Sequence, residues 1–242
     1  MAGALIAATL VCCAEGRAQD RVKAARAARM EEIHALFDRA HLAYPAKEIY
    51  LRAFKREGEV ELWGAPRAGA PMVLLKRYSI CMSSGGLGPK RERGDGQVPE
   101  GFYEIDRFNP WSNFHLSLGV SYPNASDRIR GKKNPGGDIF IHGSCVTVGC
   151  IPLRDGPIEE LYLIALDARS YGQRRIRVDI FPTRMDAEGM AYLSYLARDR
   201  PELMSFWREL EPGYLAFEKS RRPPMVTVGK GGAYVVRPVA AW

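Results

Sequence analysis

The spacing of apolar positions changes period several times along this chain, and each change marks an element. Between Val22 and Ala43, Ile33, Leu36, Phe37 and Ala40 recur at helical spacing among arginines and glutamates, which predicts an amphipathic helix ending before Pro45. The period then shortens. Ile49 to Phe54, a turn at Arg56-Glu57-Gly58, and Val60 to Trp63 predict a β-hairpin. Met72 to Cys81, Gly101 to Arg107, Phe114 to Ser121 and Asp138 to His142 read as further strands between Gly-, Pro- and Asn-rich loops. The stripe Ile158, Leu161, Ile164, Ala165, Ala168 predicts a helix, with Asp155 as N-cap, Pro157 near its start and Gly172 beyond its end. Arg174 to Ile180 alternates as a strand, and Asp186 to Ser220 is helical and rich in aromatics. Val226 to Val228 and Ala233 to Val236 flank Gly229-Lys230-Gly231-Gly232 as a closing hairpin. His34 and His41 fall on the first helix, and His115 sits in an alternating strand as a satisfied sheet histidine.

The first apolar run, Met1 to Val11, is too short to span a bilayer as a helix. It reads as the apolar core of a secretory signal, with Gly16-Arg17-Ala18 as a small-x-small cleavage site, although basic residues ahead of the run are missing. Cys12-Cys13 makes a poor lipoprotein signal, so export to the periplasm without lipidation is expected. Cleavage leaves Cys81, Cys145 and Cys150, an odd number that guarantees one thiol unpaired within the chain. No second long apolar segment follows, and no transmembrane span is expected in the mature protein. The 242 residues, 46% of them hydrophobic, suffice for one domain with an extension. The net charge of +7 suits an anionic polymer. Nucleic acid is excluded, because Lys and Arg are scattered and no basic motif interleaved with aromatics appears.

The densest chemistry lies in Ile139 to Ile151, where His142 and Cys150 share one short turn behind an apolar strand. A cysteine with a neighbouring imidazole is the minimum equipment of a thiol nucleophile and its base, and proton transfer between them predicts a thiolate-imidazolium pair of lowered thiol pKa. Gly149 removes the side chain that would crowd an approaching carbonyl, and it lets the Gly149 and Cys150 N–H groups turn toward a developing oxyanion. The residues alone leave three other readings open: a buried structural Cys and His, a metal site on His142, Cys145 and Cys150, and a Cys145–Cys150 disulfide in an oxidising compartment.

The order His142-Gly143, a short loop, then Thr147-Val148-Gly149-Cys150 resembles the signature of the YkuD-domain L,D-transpeptidases. Leu87-Gly88-Pro89-Lys90, Gly94 to Tyr103, Asn109 to Ser112, Tyr122 to Arg128 and Phe181 to Met185 extend the likeness to the YafK-like branch of that family. Two departures from the wider family stand out: the loop from His142 to Cys150 is shorter, and Pro152 stands where many members carry arginine. The resemblance implies an α+β, β-rich fold, a curved β-sandwich with flanking N- and C-terminal helices. The implied organisation is a signal peptide over 1–18, a helix over 19–45, the catalytic domain over 46–185, and a helical extension with hairpin over 186–242. It further implies Cys150 as nucleophile and His142 as base and later acid, with the carbonyl of Gly143 or Ser144 orienting the imidazole. Thr147 then fixes the turn or reaches substrate, and Tyr122, Asn124 and Asp127 form a substrate-side wall or, because Pro123-Asn124 is also an ordinary turn signal, only a structural loop. No cofactor or metal is implied. The implied substrate is a peptidoglycan stem peptide attacked at the L-centre carbonyl of diaminopimelate, or a wall-linked lipoprotein cut beside that residue, with a non-catalytic wall-binding protein as a more remote alternative.

Overall fold

The computed structural model describes residues 3–237, with side chains from residue 20 onward. A helix α1 (Gly3–Arg39) is followed by strands β1 (Glu48–Phe54), β2 (Glu59–Ala65), β3 (Val73–Ser79), β4 (Gly101–Asn109) and β5 (Ser117–Val120). Helix α2 (Ala125–Arg130), strands β6 (Phe140–His142) and β7 (Ile151–Pro152), helix α3 (Asp155–Ser170) and strand β8 (Ile176–Phe181) complete the core. Helices α4 (Ala187–Leu196) and α5 (Pro201–Ser220) and the hairpin of β9 (Met225–Val228) with β10 (Tyr234–Arg237) close the described chain. The fold is α+β and β-rich.

One mixed sheet carries eight strands in the order β3-β2-β1-β8-β4-β5-β6-β7. Its pairs are antiparallel except β1 with β8 and β6 with β7. The central strand β1 is buried on both faces. Ile49, Leu51 and Ala53 point into the core shared with α1 and α3, whereas Tyr50, Arg52 and Phe54 point toward α4 and α5. Period-two alternation thus serves two apolar layers at once, which is why Ile49 to Ala53 lacks an exposed polar face. Arg52 is buried, and it survives there because it donates to Glu61 at 3.0 and 2.7 Å and to Glu218 of α5 at 2.7 Å.

The sheet curls until its two edges meet. Beyond β3, the Cys81 N–H donates to the Pro152 carbonyl of β7 at 3.0 Å, joining the first and last strands of the order. A disulfide between Cys81 and Cys145 crosses the same seam. The expected curved, β-rich fold is built as one curled sheet, sealed next to the turn that carries Cys150.

Three local expectations are corrected. Helix α1 starts at Gly3 and stops at Arg39, because Ala40 and His41 turn out of the helix, with His41 at φ 52°. The side chains of the expected signal segment lie outside the described residues. The run from Asp186 to Ser220 is two helices, since Pro201 has no N–H to continue the first and instead begins the second. Asp155 is the first residue of α3 rather than its cap, and its carboxylate accepts the Ser144 N–H at 2.7 Å. That bond fastens the helix to the His142–Cys150 turn. Among the described residues, no helix is long and apolar enough to cross a membrane.

Candidate active site

The register of the last two strands brings His142 and Cys150 to one face. In the parallel pair β6–β7, Ile141 lies opposite Ile151 and His142 opposite Pro152. Extending this by one residue sets Cys150 beside Phe140, and the period of two then puts Phe140, His142, Cys150 and Pro152 on the same side. The Phe140 N–H donates to Cys150 Sγ at 3.4 Å. Cys150 is the free cysteine among the described residues, and it is partly exposed.

Two glycines let the turn close. A Cβ on Gly143 would lie 2.7 Å from Asp155 Oδ1 and 2.8 Å from the Phe114 carbonyl, so only glycine fits between them. Gly149 has φ 92°, in the left-handed region, and a Cβ there would stand 3.0 Å from the Gln97 carbonyl. Thr147 clamps the end of the turn, its Oγ1 accepting the Cys150 N–H at 2.9 Å and donating to the Cys150 carbonyl at 2.8 Å.

The hydrogen bonding of His142 fixes its tautomer. Nδ1 lies 2.6 Å from the Gly143 carbonyl oxygen, which can only accept. Nδ1 therefore carries the proton and Nε2 carries the lone pair. Of the two carbonyls expected to orient the ring, Gly143 does so, whereas the Ser144 carbonyl accepts the Arg154 N–H at 3.2 Å. Phe114 covers the imidazole, ring centroids 4.8 Å apart. Burial lowers the His142 pKa, partly offset by the Gly143 hydrogen bond. Burial raises that of Cys150, against the opposing bond from Phe140, with the Asp138 carboxylate adding to the rise and Lys90 opposing it. Desolvation thus disfavours the charged form of each group, which opposes the expected thiolate-imidazolium pair. The thiol donates to the Asp138 carbonyl at 3.6 Å.

Cys150 opens on a cavity of about 190 Å³ whose lining includes Ala53, Lys55, Ser84, Leu87 and Val98. Lys55 spends its charge within the cavity wall. Its Nζ donates to the Gly88 and Val98 carbonyls at 2.9 Å each and pairs with buried Glu100 at 3.0 Å. Glu100 also accepts from Trp207 of α5 at 2.8 Å, so the C-terminal helices brace the cavity wall.

Several expectations are revised by these contacts. Both oxyanion donors are occupied: the Cys150 N–H by Thr147, and the Gly149 N–H by Ser84 Oγ at 2.7 Å. Tyr122, Asn124 and Asp127 do not line the cavity. Tyr122 is buried and donates to the Pro135 carbonyl at 3.0 Å. Asn124 caps α2 and donates to Phe102 and Tyr234, while Asp127 is buried on Tyr103, Arg91 and the Asn124 N–H. Burial pushes the Asp127 carboxyl up to about 6. These three residues serve the loop's own structure. Cys145 is held by Cys81, which removes both the Cys145–Cys150 disulfide and one of the three sulfur and nitrogen ligands of the metal alternative. His115 lies outside β5, its Nε2 2.8 Å from Glu159.

The comparison that settles the family covers most of the chain. It is 36% identical over 194 residues to the L,D-transpeptidase-like protein YafK of Escherichia coli, in strains K12 and O157:H7 alike, spanning 79% of this chain and 75% of the relative. The chain belongs to the YkuD-type L,D-transpeptidase family. Residues 67–180 match the L,D-transpeptidase catalytic domain, YkuD, and include His142 and Cys150. More remote likenesses are to the helical cell shape determining protein Pgp2 of Campylobacter jejuni (19% identity, TM-score 0.46, 75% and 73% of the two chains) and to Bd1075 of Bdellovibrio bacteriovorus (16%, 0.41, 76% and 77%).

The seam disulfide has a measurable consequence. It closes a loop over a sequence separation of 64, worth up to about 4 kcal/mol of unfolding free energy in the chain-entropy description. Cys81→Ser and Cys145→Ser are expected to lower the denaturant midpoint equally, and the double variant no further. Unequal or additive losses would mean that the two sulfurs do not act as one bond.

Proposed function

We propose that this protein is a cysteine acyltransferase acting on peptidoglycan stem peptides, exported to the periplasm by its N-terminal segment. The observation that carries the reading is the tautomer of His142. A proton held on Nδ1 leaves Nε2 basic, on the strand face that also bears the free thiol at a cavity mouth. Nε2 takes the Cys150 proton as sulfur attacks the L-centre carbonyl of diaminopimelate. The C–S bond forms and the carbonyl pair moves to oxygen. When that pair returns, the C–N bond breaks and the amine leaves with the proton from Nε2, which gives a thioester on Cys150. An acceptor amine then completes transfer by the reverse sequence. The basic surface of the chain suits an anionic wall polymer.

Hydrolysis is the second reading, favoured by the short turn from residue 143 to 149, which leaves Cys150 partly exposed to water. A substrate for that reaction is a lipoprotein peptide linked through diaminopimelate. The deciding experiment supplies a tetrapeptide-stem muropeptide with and without excess acceptor amine, and separately the linked peptide, with intact-mass readout. A Cys150 adduct followed by cross-linked dimers is expected. Release of the linked peptide with no dimer under any condition would leave an amidase built on the same pair. No adduct on either substrate would overturn both readings.

A further inference from the structure

A carbonyl attacked by Cys150 places negative charge on its oxygen, and the site must supply a donor there. The two backbone N–H groups at the end of the turn are already engaged, so the donor has to be sought on the cavity wall. Two hydroxyls hold these amides, and their remaining protons differ. Thr147 Oγ1 accepts the Cys150 N–H and spends its own proton on the Cys150 carbonyl, so its hydrogen bonding is complete within the turn. Ser84 Oγ accepts the Gly149 N–H at 2.7 Å, and its proton meets no acceptor among the described residues. Ser84 and Cys150 line the same cavity.

We propose that the Ser84 hydroxyl is the oxyanion donor of this site, polarised by the Gly149 amide behind it. A hydroxyl that accepts one hydrogen bond becomes a better donor of the next, and the chain Gly149 N–H to Ser84 O–H to substrate oxygen carries the backbone dipole into the cavity. In the addition step the C–S bond forms, the carbonyl pair moves to oxygen, and Ser84 stabilises that charge without giving up its proton. The pair then returns, the C–N bond breaks, and the amine departs with the proton held on His142.

The loop that carries Ser84 is fastened on both sides, so the donor is in position before substrate arrives. On one side, Cys81 bonds to Cys145 and to the Pro152 carbonyl, which ties the loop to the turn that bears Cys150. On the other, the Gly86 N–H donates to Gln97 Oε1 at 3.1 Å. The Gln97 backbone carbonyl is the atom that a Cβ on Gly149 would meet, so Gln97 lies beside both partners of the Ser84–Gly149 bond. A donor fixed in this way does not have to reorganise during the reaction.

This inference rests on the acyl-transfer reading, and the test separates the two. Wild-type protein, Ser84→Ala and Ser84→Thr are compared in single-turnover acylation by the tetrapeptide stem, and in alkylation of Cys150 by iodoacetamide, whose transition state develops no oxyanion. Ser84→Ala is expected to slow acylation about a hundredfold and to leave alkylation within about twofold, while Ser84→Thr recovers at least about a tenth of the wild-type acylation rate. Acylation by Ser84→Ala at or above the wild-type rate would show that the hydroxyl only blocks the Gly149 amide. Parallel slowing of both reactions, or no recovery with threonine, would reduce Ser84 to holding the loop. Each of these outcomes overturns the inference and leaves acyl transfer standing. A wild-type protein that never acylates would remove both.

Discussion

Cys150→Ala is expected to abolish acyl transfer, by about 10⁴-fold or more, while the folded protein keeps its unfolding free energy to within about 1 kcal/mol. The size of the effect follows from chemistry. Without sulfur there is no thioester, and the His142 base has no proton to take. The small structural cost follows from the surroundings, since Sγ makes two long contacts, accepting the Phe140 N–H at 3.4 Å and donating to the Asp138 carbonyl at 3.6 Å, and Cys150 borders the cavity. The contrast with Cys81→Ser and Cys145→Ser is the discriminating part, because those substitutions lose stability through the seam and retain the nucleophile. The measurement is intact mass after incubation with stem peptide, alongside denaturant unfolding. An adduct of full size on Cys150→Ala would place the nucleophile elsewhere.

The chain's local periods foretold the parts of the fold that depend on neighbours in sequence. The alternation in Ile49 to Phe54 and Val60 to Trp63 became the β1–β2 hairpin, and the apolar stripe from Ile158 to Ala168 became α3. The order of His142, Gly149 and Cys150 pointed to the candidate site for the same reason, since all three lie close together in sequence. The mistakes were long-range. Cys145 finds Cys81 across a separation of 64 only because the sheet curls until its edges touch, and no local pattern carries that curl. Asp155 reads as a cap by type and place, yet its carboxylate is drawn to the Ser144 N–H across the turn.

The polar loop residues failed for a related reason. Tyr122, Asn124 and Asp127 look like a substrate wall in sequence, and a capping residue and a ligand-binding residue have the same composition. Only the tertiary partners Tyr103, Phe102 and Tyr234 show that their hydrogen bonds are already used. Ser84 is the opposite case. Within Ser83-Ser84-Gly85-Gly86 it reads as loop, and it gains meaning only when the Gly149 amide arrives from 65 residues away.

His142→Ala is expected to lower the acylation rate by about 10²- to 10⁴-fold, the usual span for a positioned general base. The pH dependence of the wild-type protein carries the mechanism. The base is neutral imidazole, and burial lowers its pKa in the folded protein. The neutral form therefore persists as pH falls below the ordinary imidazole value of about 6.5, and the acid limb of kcat/KM should lie under that value. Cys150 moves the other way, its pKa raised above the ordinary thiol value of 9.0. Alkylation by iodoacetamide in the absence of substrate tracks thiolate, so it should be slow at neutral pH and still rising above pH 9. The two profiles together describe a proton that leaves sulfur for Nε2 when substrate is bound. They do not fit an ion pair waiting in the free protein. Alkylation already complete in rate at mildly acidic pH, and lost in His142→Ala, would restore the preformed thiolate-imidazolium pair and overturn the assignment of a neutral resting site.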